Sequence, residues 1–166
     1  LAAEGSRVGI LDADIYGPSQ PRMLGIGGQP KSPDGKSLEP MISHQLQAMS
    51  IGFLIDEDTA MIWRGPMVTG ALEQLLNDTL WDDLDYLVID LPPGTGDIQL
   101  TLAQKVPVSG ALIVTTPQDI ALLDAKKAVK MFEKVQIPLL GIVENMSTHI
   151  CSNCGYEEHI FGEGGG

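Results

Sequence analysis

The sequence predicts an α/β fold, a doubly wound and mostly parallel sheet flanked by helices, on the evidence of two patterns. Four short apolar runs, at residues 8–11, 86–89, 111–115 and 139–143, have the near-continuous hydrophobicity of strands buried on both faces. Helical periodicity fills the gaps between them. Met67, Ala71, Leu72, Leu75, Leu76 and Leu80 are spaced for one helix face, and Leu122, Ala125, Val129 and Phe132 for another. Strands alternating with such helices make βαβ units and hence a parallel sheet.

Between the first two runs, residues 31–39 are rich in Pro, Gly and Ser and read as an exposed excursion. Residues 41–54 read as a short hairpin or edge strand. At the start, residues 1–4 read as the last turn of a helix and Gly5 as its C-terminal cap. The expectation is one domain over 1–166, truncated upstream and, from the abrupt glycines 164–166, downstream as well.

Composition narrows the function. At 166 residues with 43% hydrophobic and 19% charged content, the chain has the makeup of a soluble globular domain. No apolar run approaches the roughly 20 residues that cross a bilayer. The opening residues lack the basic start and apolar stretch of a secretory leader. A formal net charge of −12 opposes a nucleic-acid partner. It leaves nucleotides open, because a nucleotide site needs only a few local donors. Cys151 and Cys154 are the only cysteines, too few for a disulfide scaffold, which points to a reducing, cytoplasmic compartment.

In an open parallel sheet, ligands bind beyond the carboxyl ends of the strands. The chemistry-bearing residues fall there. Asp90 ends the run Tyr86-Leu87-Val88-Ile89, the Walker B pattern of an acid that holds Mg²⁺. Leu91-Pro92-Pro93-Gly94-Thr95-Gly96-Asp97 follows, a stiff turn whose backbone N–H groups suit the sensing of a γ-phosphate; its plainer reading is a turn with Asp97 at a helix start. Asp12 and Asp14 leave the first strand two residues apart. Such a pair can serve a metal and an attacking water together, or form an acidic turn before a helix that has Pro18 in its first turn. Asn145 follows the fourth strand, where it is either a base-reading amide or a turn residue.

Cys151-Ser152-Asn153-Cys154-Gly155 has the spacing of a metal knuckle, with two thiolates at i and i+3. It is half of a four-ligand site. Three readings stand: an intramolecular zinc site completed by His149 and His159, a site completed by a second copy of the chain across a two-fold axis, and a redox pair. His44 reads as a surface or loop residue.

The ordered strings DADIYGPSQP, MIWRGPM, DLPPGTGD, and ENMS followed by CxxC resemble the Mrp/ApbC family of iron–sulfur carrier ATPases, which are similar to the MinD and ParA branch of deviant Walker A proteins. The resemblance covers essentially the whole chain. It implies a P-loop NTPase fold and, upstream of Leu1, a GKGGVGKS-type loop with two functional lysines. ATP hydrolysis then belongs to the full-length protein, and the 166-residue chain is expected to be inactive.

Residue by residue, the resemblance implies that Asp14 positions the hydrolytic water and Asp12 supports the Mg²⁺ shell. It makes Asp90 the Walker B carboxylate, Gly94, Thr95 and Gly96 the second switch, and Asn145 the contact to the adenine edge. Trp63 and Arg64 fall near a nucleotide-dependent dimer face. The resemblance also implies that Cys151 and Cys154 hold a labile [4Fe–4S] cluster shared by a homodimer, which takes it from an assembly scaffold and passes it to apo-proteins, with neither nucleic acid nor membrane as partner. The competing readings are a MinD/ParA-like spatial regulator with structural zinc and a metal-insertion GTPase. The regulator needs a basic patch or an amphipathic tail, and the GTPase an Asp after Asn145; the sequence shows none of these.

Overall fold

The computed structural model describes residues 1–55 and 65–166, and the chain divides into two compact units, Leu1–Pro93 and Gly94–Gly166. Trp63 and Arg64 lie outside the described residues.

The first unit is built on a four-stranded sheet of β1 (Val8–Asp12), β2 (Met41–Ser43), β3 (Leu46–Ser50) and β4 (Tyr86–Asp90), in the order β2-β3-β1-β4. β1 pairs in parallel with β3 and β4, while β2 runs antiparallel on the edge. The hairpin expected in 41–54 is therefore present, and its second strand is interior. His44 and Gln45 turn it, both in the left-handed region at φ 50° and 62°, the backbone of the tight turns that favour hairpins. β1 is buried along nearly its whole length, as its apolar run requires. Gly9 is needed there: a Cβ would come within 2.6 Å of Leu84 Cδ1.

A short helix α1 (Gln20–Leu24) follows β1, and α2 (Gly65–Asp78) precedes β4. The buried face of α2 is Val68, Leu72 and Leu75, continued by Thr79, whereas Met67 and Leu80 are exposed. The expected stripe thus holds in its middle, at Leu72 and Leu75, and fails at its two ends, Met67 and Leu80. Its end shifts because α2 stops at Asp78, where Leu38 N–H donates to the Asp78 carbonyl and Leu80 N–H to the Leu38 carbonyl. That ladder also pins the otherwise exposed 31–39 excursion. Leu72 is fully buried, so truncating it to Ala would cost roughly 2–5 kcal/mol.

The second unit contains α3 (Asp97–Lys105), β5 (Ala111–Thr115), α4 (Asp119–Lys134) and β6 (Leu139–Glu144). β5 and β6 pair in parallel, and α4 packs against both. Burial on both faces was expected of these strands, but β5 alternates: Ala111, Ile113 and Thr115 are buried, Leu112 and Val114 exposed. Met131 and Phe132 are the buried residues of α4, whose last turn closes over the sheet. A small antiparallel hairpin, β7 (His149–Ile150) and β8 (Glu157–Glu158), carries the cysteines. No helix among the described residues is long and apolar enough to cross a membrane.

Candidate functional site

The register of the first sheet puts three polar residues in one row at the carboxyl ends of its parallel strands. Asp12 is opposite Ser50 on one side and Asp90 on the other. A carboxylate buried there must be satisfied locally, and Asp12 is. Its Oδ1 accepts the Asp14 N–H at 3.1 Å; its Oδ2 accepts the N–H groups of Ser19 and Gln20 at 3.1 Å and the Ser50 hydroxyl at 3.0 Å. Burial nonetheless pushes the Asp12 carboxyl above its ordinary value, and the nearby Asp90 charge adds to the rise. Asp12 thus holds the 13–20 loop in shape from behind and has no uncommitted oxygen.

Asp14, half-buried on that loop, accepts the Gly17 N–H at 3.1 Å through Oδ1, which folds the chain back before α1. Asp90 is half-buried at the end of β4. Its backbone carbonyl accepts the Ala13 N–H at 2.8 Å, and its Oδ2 accepts the Gln20 side-chain amide at 2.7 Å. No described residue donates to Asp90 Oδ1. One open carboxylate oxygen at a strand end is a donor set that suits Mg²⁺, which takes one or two carboxylates and keeps several waters.

In the second unit, Gly94, Thr95 and Gly96 precede α3, with Gly94 at φ 97° and Gly96 as the N-cap. The plainer expectation, a turn leading into a helix at Asp97, therefore describes this backbone, which also leaves the switch reading open. At the end of β6, the Asn145 N–H donates to the Thr115 carbonyl at 2.8 Å and its side-chain Oδ1 accepts the Met146 N–H at 2.9 Å. The side chain is exposed, with its NH₂ free to donate. Gln118, just past β5, has a buried Oε1 without a partner among the described residues.

The cysteine hairpin is a formed knuckle. Cys151 N–H donates to the Tyr156 carbonyl at 2.9 Å and Gly155 N–H to the Cys151 carbonyl at 2.8 Å, with Gly155 at φ 73°. Hydrogen bonding from the Asn153 backbone, then from the Cys154 backbone and thiol, holds the Cys151 pKa below that of an ordinary thiol. Both cysteines are free. The flanking histidines do not complete a site. His159 is engaged at both ring nitrogens, Nδ1 at 2.5 Å from the Ser147 carbonyl and Nε2 at 3.1 Å from Glu163. Among the described residues, no three His, Cys, Asp or Glu side chains converge on a metal position.

Glu144 closes the segment that bears the knuckle. Its carboxylate accepts the N–H groups of Gly164, Gly165 and Gly166 at 2.7–2.8 Å, which lowers its pKa. A Cβ at Gly165 would lie 2.4 Å from Leu122 Cδ1, so a larger residue there would displace the end of that side chain. Sequence reasoning missed Gln20, Ser50 and Glu144 as site residues. Gln20 and Glu144 sat inside motifs, but the roles of all three depend on contacts that folding creates.

This is the fold of an α/β nucleotide-binding domain, with a thiolate hairpin added after its last parallel strand. The comparisons make the class specific: a family model described as ParA, NUBPL iron-transfer P-loop NTPase, matches residues 1–166. The chain belongs to that family. It is 69% identical over 166 residues to the iron-sulfur cluster carrier protein of Escherichia coli (strain K12), covering 99% of this chain and 45% of the relative. It is 50% identical over 167 residues to the iron-sulfur cluster transfer protein NUBPL of Mus musculus, covering 99% and 52%. Among solved structures it is similar to a nucleotide-binding protein from Archaeoglobus fulgidus in complex with ADP. The TM-score there is 0.81 at 42% identity, over 98% of this chain and 63% of that one. The chain thus spans about half the length of the curated relatives it matches.

Proposed function

We propose that the full-length protein is an ATP-dependent iron–sulfur cluster carrier, binding a labile cluster between two copies of itself and transferring it to apo-proteins. The observation that carries this reading is the preformed knuckle with two free thiols and, among the described residues, no third ligand converging on them. Iron–sulfur clusters are typically held by four thiolates, and a two-fold axis supplies four from two such hairpins. The names of the close relatives support the cargo. The engaged ring of His159 speaks against an intramolecular Cys₂His₂ zinc site.

In this reading ATP binds at the strand ends, with its phosphates held by an upstream loop and by the N–H groups around Gly94, Thr95 and Gly96. Asn145 meets the adenine edge, its amide able to donate and accept. Asp90 would hold Mg²⁺, and the ion would supply charge neutralisation on the phosphates. Asp14 orients the attacking water and accepts its proton as the bond to the γ-phosphorus forms and ADP leaves. Asp12 supports the metal shell through the loop that it holds. ATP closes the dimer through the switches and changes the exposure of the cysteine bridge.

The test is the iron and sulfide content of full-length protein purified without oxygen. Cys151→Ala and Cys154→Ala should each remove the cluster and leave ATP affinity within about two-fold. A cluster retained by either variant rejects the knuckle as its site.

A further inference from the structure

Gln20 is a buried polar residue that the nucleotide chemistry outlined above leaves without a role. It sits at the first position of α1, just after the acidic loop, and spans the two strand-end carboxylates. Its backbone N–H donates to Asp12 Oδ2 at 3.1 Å, and its side-chain Nε2 donates to Asp90 Oδ2 at 2.7 Å. A neutral amide is suited to this place. It donates to a carboxylate without neutralising it, whereas a Lys or Arg there would compete with a divalent cation for the same charge. Its hydrogen bond also fixes the carboxylate plane: with Oδ2 held by the amide, Oδ1 is the oxygen left open. Charge-assisted bonds of this kind are short and directional.

We propose that Gln20 is a positioning residue for Mg²⁺: it orients the Asp90 carboxylate toward the metal's water shell and links the acidic loop to the end of β4. The proposal rests on the reading of Asp90 as the Mg²⁺ carboxylate. Because the same residue bonds to Asp12 and Asp90, a shift of the 13–20 loop on nucleotide binding changes the metal site directly.

The test is a two-by-two set of full-length proteins: parent, Gln20→Met, Asp90→Asn and the double variant. Methionine keeps the length and burial of the side chain and removes the donor. ATP affinity is measured by calorimetry with saturating Mg²⁺ and again with EDTA. Gln20→Met should lower the affinity in Mg²⁺ by about ten-fold, the scale of one charge-assisted hydrogen bond, and leave that in EDTA unchanged. In the Asp90→Asn background the same substitution should have no further effect on the Mg²⁺ dependence. An unchanged Mg²⁺ dependence in Gln20→Met, an equal loss in EDTA, or additivity with Asp90→Asn overturns the positioning role. If Asp90→Asn alone keeps the parent's Mg²⁺ dependence, the underlying assignment of Asp90 fails instead, and the role of Gln20 fails with it.

Discussion

Asp12 and Asp90 stand opposite each other in the β1–β4 register, Asp12 with both carboxylate oxygens hydrogen-bonded to its surroundings and Asp90 with one oxygen on Gln20 and the other open. Two acids at equivalent strand ends therefore do different work. One shapes a loop, and the other keeps an oxygen open for the proposed metal.

The buried one governs stability. Asp12→Asn replaces an acceptor oxygen with an NH₂ that cannot accept, stranding donors among Asp14, Ser19, Gln20 and Ser50. Each buried unsatisfied group costs about 1–3 kcal/mol, so urea unfolding should show a loss of at least that size. The pH dependence has a definite sign. The native pKa of Asp12 is raised above the unfolded value of 3.8. Its contribution is therefore present below that value and lost as pH rises through the native pKa. The parent's advantage over Asp12→Asn should accordingly shrink across that acidic window.

Asp14 keeps an oxygen beyond the one bonded to Gly17, and its proposed task is the water. In full-length protein, Asp14→Asn should reduce ATP hydrolysis at least about a hundred-fold, the lower range for general-base catalysis, with ATP affinity within a few-fold of the parent. Phosphate-release kinetics and calorimetry separate the two. Turnover equal to the parent would remove Asp14 from the reaction.

At the knuckle, hydrogen bonding from the Asn153 and Cys154 backbones stabilises the Cys151 thiolate. The native pKa is lowered, so the thiolate persists to lower pH than in an ordinary thiol. In metal-free protein, alkylation of Cys151 followed by mass spectrometry should reach half its maximal rate below the pH of a free cysteine. Gly155→Val, which strains a left-handed position, should move that midpoint up.

Much of the framework was legible because apolar runs and turn residues are local signals. Val8 to Asp12, Tyr86 to Asp90 and both cysteines could be read directly, since an acid after an apolar strand or a CxxC is a local signal, although β4 is exposed at Tyr86 and Val88 where burial on both faces was expected. The hairpin turn at His44 and Gln45 was less so, because neither residue is the Asn or Gly that such a turn prefers. The roles of Gln20, Ser50 and Glu144 were invisible. Each depends on a hydrogen bond to a residue brought near by folding: Gln20 to Asp90, Ser50 to Asp12, and Glu144 to the glycines at 164–166. The α2 stripe missed at Leu80 for a similar reason, since the pairing of Leu38 with residues 78–80 fixes where the helix ends.

The central claim is that two knuckles from two chains hold one cluster. Its most direct measurement is anaerobic reconstitution of full-length protein with iron and sulfide, with metal content and native mass determined on the same sample. The account predicts about one cluster per two chains, a broad visible absorption bleached by oxygen, and a dimer that dissociates when the cluster is lost. A colourless, air-stable monomer with about one zinc per chain, sensitive to substitution of His149 or His159, would contradict it.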